Sequence, residues 1–131
     1  MSPIPSVLAI LICEKVIEEA HTTKKSLIGI INRLHATAFP VIFPLGFYAR
    51  LTDCDGQYSF RVDVVGLKET TLIARLTSDV SVAGDRLGFV ELALNMPPIP
   101  FPAPDRYEFQ LYGNDVYLAH ITLDGILYSG T

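Results

Sequence analysis

From Phe47 onward the chain alternates apolar and polar residues with a period of two. The pattern is clearest where Tyr58, Phe60, Val62 and Val64 are set against Gln57, Ser59, Arg61 and Asp63. Successive side chains of an extended strand point to opposite faces, so this is the pattern of strands with one face buried and one in water. It recurs with Phe47, Ala49 and Leu51, with Val90, Leu92 and Leu94, and with Tyr107, Phe109 and Leu111. Further strands are expected from Val7 to Cys13, Ser26 to Leu34, Thr71 to Thr77 and Val116 to Leu123, giving about eight. Glu14 to Ala20 lacks an N-cap and is too short for an independent helix, so it reads as a connector. Many short strands with no helical crossovers predict an all-β fold, an antiparallel β-sandwich of Ig-like or C2-like appearance, with a closed barrel as the alternative. A chain of 131 residues, half of them apolar, has enough material for one core, so residues 1–131 read as a single domain. Phe47, Phe60, Val62, Leu92, Phe109 and Leu111 are its expected centre.

Two connections carry turn chemistry. Asp53-Cys54-Asp55-Gly56 reads as a hairpin, and two registers compete for it. A loop of Cys54 and Asp55 sets Phe47 beside Val62. A loop of Asp55 and Gly56 suits the turn better but brings Arg50 opposite Arg61. Gly113-Asn114-Asp115 is better specified, because glycine and asparagine readily adopt the positive φ of a tight turn between Tyr107–Tyr112 and Val116–Leu123.

The function classes narrow by exclusion. Ten Lys and Arg against fourteen Asp and Glu give a net charge of −4, which argues against nucleic acid or an anionic membrane as partner. Cys13 and Cys54 stand alone with no CxxC and no Cys–His cluster, so a disulfide scaffold and a structural zinc site are not expected. Two reduced thiols and an N-terminal apolar run without a basic lead or cleavage site point to a cytoplasmic protein. Gly66, Gly84 and Gly88 form no phosphate-cradling loop, and no G-x-S-x-G elbow is present, so no cofactor and no catalytic residue is assigned. Asp53 and Asp55 resemble part of a calcium loop, but calcium takes six to eight oxygens and no second acidic loop supplies them, so no metal site is assigned. His21, His35 and His120 lie apart, and His120 shares the parity of Leu118, which reads as a partly buried structural imidazole.

Three features suggest surfaces instead. Val7 to Cys13 is apolar on both parities, so Leu8, Ile10 and Ile12 need cover from a loop or a second chain, as in a homo-oligomer. Asn95 to Pro104 holds five prolines with Met96, Ile99 and Phe101 between them, and reads as a rigid crossover or a presented ligand segment. Arg50, Arg61 and Arg75 fall on outward parity in three successive strands, so a meander would place them on one face near Tyr48.

Across nearly its whole length the chain resembles a family of small bacterial single-domain proteins of unknown function. The resemblance lies in LAILICEKVIEEAHTTKKSLIGI, FYARLTDCDGQYSFRVDVV and FVELALNMPPIPFPAPDRYEFQLYGNDVYLA. It implies a compact β-sandwich in a bacterial cytoplasm and brings no site residues with it. Such sandwiches host binding more often than catalysis. The expectation is therefore a non-enzymatic protein–protein interaction or scaffolding module. The alternative is a small-molecule-binding or hydrolytic enzyme with a loop-built site, which a deep polar pocket would favour.

Overall fold

The computed structural model describes residues 2–82 and 88–128; Gly84 lies outside them. Among the described residues there are eleven strands and no helix. In chain order they are β1 (Ser6–Glu18), β2 (Lys25–Ile30), β3 (Arg33–Ala36), β4 (Val41–Phe43), β5 (Gly46–Thr52), β6 (Gly56–Gly66), β7 (Thr71–Val82), β8 (Val90–Asn95), β9 (Ile99–Phe101), β10 (Asp105–Gly113) and β11 (Val116–Leu127). One sheet runs β2-β1-β5-β8, a second runs β3-β11-β10-β6-β7, and β4 with β9 forms a short ribbon. Every pairing is antiparallel except that of β3 with β11. The result is an all-β sandwich whose sheets face each other through the apolar parity of their strands. Phe47, Phe60, Val62, Leu92, Phe109 and Leu111 all lie in the core at 2% exposure or less. Burial of each such side chain stabilises by about 1.5–3 kcal/mol.

Strand number exceeds the expected eight because the 26–34 segment divides between the two sheets and the short strands β4 and β9 carry too little pattern to be read. The expected connector from Glu14 to Ala20 is strand as far as Glu18: β1 continues through it, with Lys15 to Glu18 paired residue by residue with β2. The β10–β11 hairpin turns on Asn114 and Asp115, both at positive φ; Asn114 takes the expected role, whereas Gly113 ends β10 without a positive φ and Asp115 takes the second such position.

Asp53–Gly56 is no hairpin. β5 pairs with β1 and β8, whereas β6 pairs with β7 and β10, so this connection arches from one sheet to the other. Phe47, Ala49 and Leu51 therefore lie across the core from the β6 side chains, not beside them. Hairpin and arch bury the same parity, so alternation alone does not separate them. The arch is held by Tyr58, whose hydroxyl donates to the Pro3 carbonyl at 2.7 Å and accepts from the Asp55 amide at 3.0 Å.

The N-terminal strand is central in its sheet, flanked by β2 and β5. Ile10 and Ile12 lie opposite Ala49 and Phe47 and point inward, Ile12 fully buried. Leu8, at a bulge between Val7 and Ala9, is 52% exposed. Beyond Cys13 the strand crosses the start of β5. A Cβ on Gly46 would lie 2.8 Å from Cys13 Sγ and 3.2 Å from the Val16 nitrogen, so only glycine leaves room for the crossing. Asn95 of β8 then serves β1 where β5 no longer reaches: its side chain accepts from the Val16 amide and donates to the Val16 carbonyl, each at 2.9 Å.

Candidate functional site

The surface features expected from sequence are dispersed by this topology. Met96, Ile99 and Phe101 are 4%, 1% and 0% exposed, so the proline-rich segment is an internal cover and presents none of these side chains. Phe101 packs edge-on against Tyr107 at 4.9 Å, and the Tyr107 hydroxyl donates to the Ala103 carbonyl, fastening the segment to β10. Ile12 likewise belongs to the core and Ile10 packs against it. Of that apolar set Leu8 alone is an exposed side chain.

The three arginines do not share a face, because β5 and β6 are in different sheets. Arg50 lies over the Phe89 ring at 4.6 Å, on a strand where Tyr48 donates to Glu91. Arg61 and Arg75 both bond Asp63, at 3.3 Å and 2.7 Å, and Arg61 stacks on Tyr112 at 4.3 Å. Asp63 is 5% exposed, so its two partners supply the compensation that a buried carboxylate needs. This cluster is internally satisfied and leaves little for a ligand.

His120 points outward, contrary to its parity in sequence. The register shifts where Leu111 and Tyr112 pair with Ala119 and Tyr117, so Leu118 is an extra residue and every later side chain changes face. His120 Nδ1 instead meets the Tyr117 hydroxyl at 2.5 Å, with Glu108 at 3.8 Å from Nε2.

The site with the form of a binding cleft lies elsewhere, where the β1–β2 hairpin meets β3 and β4. It measures about 590 Å³ and is lined by Glu14, Lys15, Ile28, Ile31, Arg33, Leu34, His35, Phe43, Pro44 and Leu45. Its size falls within the range of small-ligand clefts. Leu34 and Leu45 are core residues, while Ile31 and Phe43 pack on that core, so the floor is apolar and anchored. Lys15 and Arg33 bring two cations to the lining, and among the described residues neither has a carboxylate within 4 Å. The nearby Asp124 is engaged by Arg106 at 2.8 Å and 3.3 Å, and chiefly this bond, with the charge of Arg33 beside it, holds its carboxyl below the usual carboxylate range. Glu14 lies over Gly29, whose φ of 64° kinks β2 at the rim.

Apolar side chains collect around this cleft. Ile28 lines it, Ile126 is the cross-strand partner of His35, and Tyr128 stacks on His35 at 6.4 Å. All three are exposed, between 36% and 56%. No lining residue carries a hydroxyl or thiol. None of the cleft was singled out from sequence, because 26–34 reads as one strand when it is two, and the gap between β2 and β3 is what opens the cleft. The available signal was the unbroken apolar run Leu27-Ile28-Gly29-Ile30-Ile31, too apolar for a strand with one wet face.

Cys13 and Cys54 are buried free thiols, and burial raises the pKa of each. No group of three His, Cys, Asp or Glu among the described residues is placed to hold a metal. Nor is any helix among them long and apolar enough to cross a membrane. A family model described as a family of unknown function (DUF6941) matches residues 8–124. No curated protein matches the chain.

Proposed function

The chain belongs to DUF6941, a family of unknown function, and on that premise we propose that it is a non-enzymatic interaction module docking a protein partner on the flank around the cleft. The observation that carries this reading is the gathering of exposed Ile28, Ile126 and Tyr128 about His35 at one flank. Apolar residues scattered singly over a surface are ordinary, whereas a contiguous group marks a contact surface. The enzyme alternative would draw on Glu14, Lys15 or His35, the ionisable side chains of the cleft lining. A cytoplasmic location is part of the same reading, supported by two buried free thiols. Affinity capture with wild type, Ile28→Asp, Tyr128→Asp and the remote Lys68→Glu tests it. Proteins retained by wild type and Lys68→Glu but lost from both flank variants support the reading, and an identical capture profile for all four overturns it. Self-association is tested separately by light scattering on wild type and Leu8→Lys, since Leu8 is the exposed side chain of the N-terminal apolar set.

A further inference from the structure

We propose that the cleft is a binding site for a small amphipathic carboxylate, its apolar chain on the floor and its head group between Lys15 and Arg33. This goes beyond the protein-partner reading and does not depend on it, since it needs only the cleft. Three observations carry it. The floor of Ile31, Leu34, Phe43 and Leu45 is part-buried or buried and fixed to the core, so it is a preformed surface and costs little ordering on binding. Two cations line the same cleft against one carboxylate, Glu14, and among the described residues neither cation has a carboxylate within 4 Å, although Arg33 also lies beside Asp124 and, after Arg106, helps lower its pKa. The volume of about 590 Å³ suits a molecule of small-ligand size.

The chemistry follows from this pairing. An arginine and a lysine offer charge-assisted hydrogen bonds to one carboxylate, and these are stronger and shorter than neutral ones. A cationic amphiphile would meet the same two charges with repulsion, and a neutral one would form no ion pair with either. Ligand charge should therefore decide affinity at constant chain length.

The test is calorimetric titration of the wild-type protein with sodium decanoate well below its micellar range, and in parallel with decanol and decyltrimethylammonium. Decanoate is expected to bind saturably at one site, with a dissociation constant of about 1 mM or tighter. The other two probes should bind at least about tenfold more weakly. Lys15→Gln/Arg33→Gln should lose at least about tenfold in decanoate affinity, while Lys68→Gln leaves it unchanged. Lys15 and Arg33 are both exposed, so the double variant keeps its core, and an unchanged melting temperature checks this. No saturable decanoate binding, equal affinity for decanol, or full affinity in the folded double variant each overturns the proposal. Because the partner reading is tested by capture, either can fail while the other stands.

Discussion

Truncating Asn95 removes a side chain that stands in for a missing strand. Its amide makes two hydrogen bonds at 2.9 Å to the backbone of Val16, a residue only 6% exposed. A typical intramolecular hydrogen bond contributes about 1 kcal/mol net, and a buried group left unpaired costs about 1–3 kcal/mol. Asn95 itself is exposed, so water can enter beside the truncated residue and soften the loss. Asn95→Ala should therefore cost about 2 kcal/mol. With an unfolding entropy of about 2.1 cal/mol/K per residue, that is a fall of about 7 °C in melting temperature. Asn95→Asp keeps an acceptor for the Val16 amide but loses the donor and sets a carboxylate against the Val16 carbonyl, so it should be no more stable than alanine. Calorimetric melts measure both, and hydrogen exchange of the Val16 amide localises the effect. An alanine variant melting within about 2 °C of wild type, or an aspartate variant matching wild type, refutes the account of Asn95 as a strand substitute.

Gly46→Ala should destabilise by about 1–3 kcal/mol, because the added Cβ meets Cys13 Sγ at 2.8 Å and nearby β1 backbone that cannot move alone; a urea titration measures it. Phe109→Ala, at 0% exposure, should cost about 3–5 kcal/mol by the same measurement. Neither cysteine should react with a thiol reagent at neutral pH in the native protein, since burial raises both pKa values and lowers the thiolate fraction; both should label in denaturant. Asp124 has its pKa lowered chiefly by its hydrogen bond from Arg106, so its contribution is present above the unfolded carboxyl pKa and is lost as pH falls through the folded one. Arg106→Gln should accordingly flatten that part of the acid stability profile, read from melts between about pH 5 and pH 2.

The sandwich was legible because it is written in parity. The buried side chains of β5, β6, β8 and β10 are those that alternation selects, and the Asn114-Asp115 turn follows from residues that tolerate positive φ. Strand neighbours were not legible, since Phe47 and Phe60 are buried equally well side by side or face to face, and the arch at Asp53–Gly56 changes which of these occurs. From that one ambiguity come the separation of Arg50 from Arg61 and Arg75 and the loss of the expected shared face. The outward turn of His120 has a different origin, a single extra residue at Leu118 that leaves composition and periodicity almost unmarked. The cleft was hidden because its residues sit on pieces of β1, β2, β3 and β4 that no local pattern joins.

The parallel pairing of β3 with β11 sets Arg33 beside Asp124 and His35 beside Ile126, residues some ninety positions apart. On a ribosome, β3 emerges early and must wait for nearly the whole chain before its partner exists. Until β11 docks, Leu34 and His35 have no neighbouring strand to hold them, so the far wall of the cleft has no fixed position. A nascent or truncated chain can thus gather β5 to β10 into an apolar mass while offering no finished cleft. Any ligand or partner that reads the cleft consequently distinguishes completed molecules from unfinished ones. Pairing at such long range also makes β3 a late and slow addition to folding.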